Sequence, residues 1–260
     1  MATWTENLPA TTGAPADRAY ILCATPRSGS TMLCGMLADA GAGWPASYFR
    51  EKTMADRMVR LGVAGGPDAF PAYLDAVRRT GSAGTEICGI RLMQENAAAL
   101  FCTLGVLFPD AEGDLSRLEA AFGPVSFIHL SRRDKLAQAV SYIRARQSGL
   151  WHRGAGGQAI EALESIESKG YAHDRIAEIV ATYRREDAAW TDWFTDQGIT
   201  PISVTYEDLA AAPQKELGRI LAALSLDATK ANAITPATQP MADPESRAWI
   251  QRFRQAHPDT

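Results

Sequence analysis

The chain has 260 residues, with 26 Lys plus Arg against 30 Asp plus Glu and a formal net charge of −4. That length supports one sizeable α/β domain and excludes a disulfide-stapled miniprotein. The slightly acidic balance argues against a general nucleic-acid binder, which depends on counterion release, so any anionic ligand must be caught locally.

With 46% hydrophobic and 22% charged residues, the composition is that of a folded globule, because disordered chains carry too little apolar surface to offset their entropy. Residues 1–17 lack a basic segment followed by an apolar core and read as a flexible tail, which points to the cytoplasm. The remainder, 18–260, reads as a single domain. Apolar runs such as 20–24 and 100–108 are far shorter than the roughly 20 residues of a bilayer span, so the chain is not expected to be integral to a membrane. Cys23, Cys34, Cys88 and Cys102 show no paired metal-type spacing, and their apolar surroundings predict buried thiols.

The first element is Ala19-Tyr20-Ile21-Leu22-Cys23-Ala24, a continuous apolar run that closes on a Pro and Gly cluster, as a strand buried on both faces does. Residues 31–40 then place Met32, Leu33, Met36 and Leu37 on one helical face, and Gly41 stops the helix. Helices are predicted at 69–79, 135–148, 158–168, 174–196 and 214–223, and further strands at 86–93, 125–130 and 202–206. Strands separated by helices predict a three-layer α/β fold with a mainly parallel central sheet. The Gly-rich stretches 62–66 and 154–157 are too short for domain linkers. A Pro-rich segment, 235–243, reads as extended before a last amphipathic segment with Trp249, Ile250 and Phe253.

Chemistry concentrates in two places. Thr25-Pro26-Arg27-Ser28-Gly29-Ser30-Thr31 falls between the first strand and the first helix. A loop there offers backbone N–H groups and the positive end of a helix dipole to an anion. Gly29 permits close approach, Ser28, Ser30 and Thr31 add hydroxyls, and the Arg27 guanidinium can fork onto two oxygens. The alternative is a helix start capped by Ser28 or Ser30. The loop is not the nucleoside-triphosphatase signature, since no lysine precedes the hydroxyl residue, which disfavours an ATP-dependent phosphotransferase.

The second place is Ile128-His129-Leu130-Ser131-Arg132-Arg133-Asp134-Lys135, at the end of a strand and leading into the helix that carries Ser141. Ligands of open parallel sheets bind at strand carboxyl ends, so Arg132, Arg133 and Ser141 can reach one phosphate. A solvated charge run is the alternative. The long helix at 174–196 carries Trp190, Trp193 and Phe194 as core or interface anchors. Its Glu178, Arg184, Arg185 and Glu186 are expected to form a solvated face.

Taken together, the run 20–31, then Gly43-Trp44-Pro45-Ala46-Ser47-Tyr48-Phe49, then Arg132-Arg133-Asp134-Lys135-Leu136-Ala137-Gln138-Ala139-Val140-Ser141 resembles the bacterial trehalose 2-sulfotransferase family. The likeness continues through Arg146-Gln147-Ser148-Gly149-Leu150-Trp151, Tyr206-Glu207-Asp208-Leu209 and the segment 249–253. It implies a P-loop-like fold and a metal-independent enzyme that moves a sulfuryl group from 3′-phosphoadenosine-5′-phosphosulfate (PAPS) to a hydroxyl of a carbohydrate or glycolipid, and a homodimer. It implies that Arg27, Ser28, Gly29, Ser30 and Thr31 hold the 5′-phosphosulfate and that Arg132 and Ser141 hold the 3′-phosphate. Arg91 matches a basic position that stabilises charge on the bridging oxygen, with a surface ion pair to Glu86 or Glu95 as the alternative.

The chain departs from this pattern at Ser47, which stands where the family has a glutamate general base before two aromatic residues. Serine is too weakly basic to take a proton unaided. Glu51, four residues on, shares a helical face with Ser47 and is the expected substitute; His129 and His152 are further candidates. Trp44 and Trp151 are expected to flank the acceptor, with packing as the alternative for Trp151. A nucleotide-binding protein without catalysis remains the alternative function.

Overall fold

The computed structural model describes residues 8–9, 13–66, 68–153, 159–162, 170–237 and 244–256, with backbone alone at 150, 152–153 and 159–162. Strand β1 (Ala19–Ala24) turns through the 25–29 loop into helix α1 (Ser30–Asp39). Helices α2 (Glu51–Arg60) and α3 (Ala69–Ser82) precede β2 (Cys88–Met93), and a 3₁₀ turn, Gln94–Asn96, leads to α4 (Ala97–Leu107) and α5 (Gly113–Phe122). Next come β3 (Val125–Ser131), α6 (Lys135–Ser148), the antiparallel pair β4 (Leu150–Arg153) and β5 (Ala159–Ala162), and the long helix α7 (His173–Asp196). Strand β6 (Ile202–Thr205), α8 (Tyr206–Ala211), α9 (Pro213–Ala223), a 3₁₀ segment (Ala228–Ala233) and α10 (Pro244–Ala256) complete the order.

The central sheet runs β2-β1-β3-β6 with every pairing parallel. The period of two along β1 explains its unbroken apolar sequence. Ala19, Ile21 and Cys23 enter one hydrophobic cluster, with Ile90, Phe122 and Trp190, while Tyr20, Leu22 and Ala24 enter another, with Leu33, Leu37 and Leu221. A strand covered by helices on both faces has no polar side to present. A third cluster joins α6, α7 and α10 through Val140, Ile143, Ile176, Val180, Trp249 and Phe253.

The predicted three-layer fold with a mainly parallel sheet matches this architecture. Four helices were not legible: α4 is apolar on nearly every side, which blurs helical periodicity, while α2, α5 and α8 are short. The expected helix at 158–168 is corrected where the structure describes it, because Ala159–Ala162 pairs as β5 with β4; the rest of that stretch lies outside the described residues. Helix-forming Ala and Glu there yield to a strand partner, as propensity does when pairing decides. The expectation for the cysteines holds for Cys23, Cys34 and Cys88, but Cys102 is exposed, on the outward face of α4 four residues before the 81% exposed Val106. The Gly-rich stretch 154–157 and most of 235–243 fall outside the described residues.

Between α1 and α2 the chain runs beside β2, bridging Ala46 to Ile90 in parallel sense. Gly43 makes that approach possible: its φ is 75°, and a Cβ there would lie 2.6 Å from the carbonyl oxygens of Gly81 and Ile87. The segment thereby delivers Ser47 to the carboxyl end of β2, where Arg91 stands.

Candidate active site

The connections from β1 pass to β2 on one side, and β3 returns on the other, so the switch of direction lies between β1 and β3. Open parallel sheets bind ligands in the crevice at such a point, beyond the strand carboxyl ends. The 25–31 loop occupies it. Arg27 and Gly29 adopt left-handed backbone with φ of 63° and 91°. A glycine is required at 29 on a second count, since a Cβ would sit 2.7 Å from the Tyr206 ring. Gly29 is the N-cap of α1, and no side chain caps that helix. The expected alternative of a serine cap therefore fails: the buried Ser28 Oγ donates instead to the Thr25 carbonyl, at 2.8 Å. A helix start built on a glycine in this way is the kind that receives an anion.

Three arginines reach this loop from three strand ends. Arg27 Nε donates to Ser141 Oγ at 3.0 Å, and its Nη1 donates to the Trp151 carbonyl. Arg132, after β3, donates from Nη1 to the Arg27 carbonyl at 3.2 Å, and its guanidinium lies 4.5 Å from the centre of the Tyr206 ring. Arg91, on β2 and 8% exposed, donates from Nε to Ser47 Oγ at 2.9 Å and from Nη1 to Thr31 Oγ1 at 3.3 Å. It is thus a buried member of the site and not a surface residue. Arg132 Nε is buried without a partner, and burial lowers its proton affinity against the pull of Tyr206 and Glu207. An unpartnered cationic N–H, an uncapped helix start and a glycine-built loop fit a ligand with more than one anionic group.

Arg27, Arg132 and Ser141 therefore meet as expected, but Arg133 does not join them. Its guanidinium forks onto Asp208 at 3.1 and 3.2 Å on the surface, where it is the 59% exposed half of the pair. Its neighbour does the positioning: Glu207 accepts the N–H groups of Arg133 and Asp134, each at 3.1 Å, and thereby holds the turn that aims Arg132.

Among the acceptor-side residues, Ser47 is 6% exposed and bonded to Arg91. Trp151 lies beside Arg27, its ring edge-on to Tyr142 at 5.8 Å. Trp44 is placed elsewhere, packed between two hydrophobic clusters near Gly81, a packing role. Glu51 opens α2 with its side chain exposed, while its N–H donates to Asn96 Oδ1 at 3.1 Å. His129 packs 5.4 Å from Phe194, and burial holds its ring below the usual imidazole range and neutral. His152 lies on β4, where only backbone is described.

Sequence reasoning missed Gln138 on α6 and the contribution of α7. Gln138, fully buried, donates from Nε2 to Thr25 Oγ1 at 2.9 Å and to the Pro26 carbonyl at 2.7 Å, locking the loop from behind. Along α7, Trp190 Nε1 donates to the Ala24 carbonyl at 3.2 Å, and Asp187 accepts from Thr25 Oγ1 at 3.5 Å while pairing with Lys135. The spacing of 183, 187 and 190 could have shown that one face of α7 covers β1's carboxyl end. Glu178, Arg184 and Arg185 are exposed, as a solvated face should be, but Glu186 is a correction: its Oε2 is buried without a partner. Burial first, then Glu95 and Asp187, push its carboxyl up to about 7.

This parallel α/β scaffold, with a glycine-built loop and three arginines at its switch point, defines an enzyme class that grips a multiply anionic ligand. A family profile described as Stf0 sulphotransferase matches residues 19–256, and the chain belongs to that family. It is a sulfotransferase. The trehalose 2-sulfotransferase of Mycolicibacterium smegmatis (strain ATCC 700084 / mc(2)155) is 30% identical over 261 residues, covering 91% of this chain and 94% of its own. That of Mycobacterium tuberculosis (strain ATCC 35801 / TMC 107 / Erdman) is also 30% identical, over 270 residues, covering 94% and 97%. The sulfotransferase domain of the Synechococcus PCC 7002 olefin synthase aligns with a TM-score of 0.40 at 18% identity, covering 97% of this chain and 98% of that one.

Proposed function

We propose that the protein transfers a sulfuryl group from PAPS to a hydroxyl of a trehalose-like carbohydrate or a glycolipid built on one. The observation that carries this reading is the linked set Arg132, Arg27 and Ser141 across the β1/β3 switch point, continuous with the loop at Gly29. PAPS, when bound, supplies the sulfuryl group on an anionic leaving group. The loop Arg27-Ser28-Gly29-Ser30-Thr31 and the start of α1 hold its 5′ end. Arg132 and Ser141 hold its 3′-phosphate, and Arg91, held on Ser47 and Thr31, steadies negative charge as it gathers on the bridging oxygen. The acceptor approaches from the β2 side, because Ser47, Arg91 and Glu95 stand there while Arg132 and Tyr206 close the β3 side. No metal ion is needed in this reading, since guanidinium groups supply the positive charge. A cytoplasmic location and a homodimer belong to the same proposal.

The test is to incubate the purified chain with PAPS, trehalose and a chelator and to search for sulfated sugar by mass spectrometry. Sulfotrehalose is the expected product. A chain that binds 3′,5′-adenosine bisphosphate yet sulfates nothing in a panel of sugars and glycolipids would instead be the non-catalytic binding protein that Ser47 suggests.

A further inference from the structure

Glu186 and Tyr183 lie one turn apart on α7, on the face that also carries Trp190 against the end of β1. Tyr183 is 3% exposed and its Oη has no partner; Glu186 Oε2 is likewise buried and unpartnered. Two unpartnered polar atoms one turn apart on a helix are costly in a folded interior, and such atoms call for an explanation such as a ligand or a catalytic role. Their helix packs on the loop, with Asp187 accepting from Thr25 Oγ1 and Trp190 donating to the Ala24 carbonyl, and Arg27 of the loop and Glu95 from the turn that follows β2 both act electrostatically on Tyr183. The groups around Glu186 are Glu95 from that turn, Lys135 from α6, and Asp187 and Arg185 from its own helix. Lys135 is already committed to Asp187, so Glu186 has no direct counter-ion.

Resting on the sulfotransferase reading, we propose that Glu186 is the general base that takes the proton of the acceptor hydroxyl, in place of the carboxylate that Ser47 does not supply. The acceptor O–H bond breaks and its proton passes to a Glu186 carboxylate oxygen. The freed electron pair forms the new O–S bond as the bond from sulfur to the phosphate oxygen breaks, and that pair leaves with the nucleotide. Glu186 suits the task better than Glu51, whose carboxylate stands in water on α2. The like charge of Glu95 and the burial of Glu186 raise its affinity for a proton towards working pH, where a base is most effective. Tyr183 Oη orients the acceptor beside it.

Three measurements test this. Glu186→Gln is expected to lower kcat about a hundredfold, the usual cost of losing a general base, with the affinity for 3′,5′-adenosine bisphosphate within twofold of the parent. Glu186→Asp is expected to recover part of the rate, and Glu51→Gln to stay within threefold of the parent. In donor-free protein labelled with ¹³C at glutamate side-chain carboxyls, one resonance is expected to titrate near pH 7 and to vanish in Glu186→Gln. A Glu186→Gln rate within threefold of the parent, or no such resonance, overturns the assignment while leaving the sulfotransferase reading intact. A parent chain that neither binds the bisphosphate nor transfers sulfuryl overturns both.

Discussion

Gln138 and Glu186 show how far single side chains decide this site. Gln138 spends both protons of its amide on the 25–31 loop, and Gln138→Leu would leave Thr25 Oγ1 and the Pro26 carbonyl buried without that donor. The expected loss is about 1–3 kcal/mol in urea unfolding, with weaker nucleotide binding. Glu186 acts in the opposite sense. Its folded-state pKa of about 7 lies above that of an unfolded glutamate, so the folded state holds the proton more tightly and stability falls as pH rises towards 7. Glu186→Gln should therefore melt higher than the parent at pH 8, by on the order of 1–2 kcal/mol after allowing for solvent screening, and match it near pH 4. Equal melting at both values would contradict this. Arg27 and Arg132 were legible in sequence because an arginine just past a strand end is itself the signal, and Ser141 because its helix starts from the Arg132 turn. Gln138, Tyr183 and Glu186 were not, because an amide or a carboxylate on a helix reads the same whether it faces water or a loop.

At the scale of elements, the β1 to α1 turn carries the most function per residue. Gly29→Ala meets both a left-handed backbone and the Tyr206 ring at 2.7 Å, so either the loop or the ring that stacks on Arg132 must shift. We expect at least a tenfold loss of affinity for 3′,5′-adenosine bisphosphate, read by calorimetry, with the far-ultraviolet circular dichroism unchanged. Helix α6 aims Arg132 through its own start: Asp134 caps it by accepting the Ala137 N–H at 2.8 Å and also takes Arg254 of α10 at 3.2 Å. Asp134→Ala should cost about 1 kcal/mol of stability, the usual worth of an N-cap. Elements whose periodicity matches their burial, such as β1, α6 and α7, could be read from sequence almost to the residue. Those that could not were α4, apolar nearly all round, the short α2, α5 and α8, and the β4–β5 pair, short and set by each other.

For the whole molecule, a net charge of −4 coexists with an anion site because the fold gathers Arg27, Arg91 and Arg132 towards the carboxyl ends of neighbouring strands. We propose that residues 18–260 unfold as one unit, since β1 serves hydrophobic clusters on both faces of the sheet and α6 and α7 share a third cluster with α10. A scanning calorimeter should record one transition; two separated transitions would contradict it. The central claim is that the β1/β3 switch point recognises a nucleotide by its 3′-phosphate without a metal. The most direct test is calorimetric titration, in chelator, with 3′,5′-adenosine bisphosphate and with adenosine 5′-monophosphate. The account predicts at least tenfold tighter binding of the bisphosphate, a preference that Arg132→Ala removes. Equal affinities, or binding confined to magnesium-ATP, would contradict it.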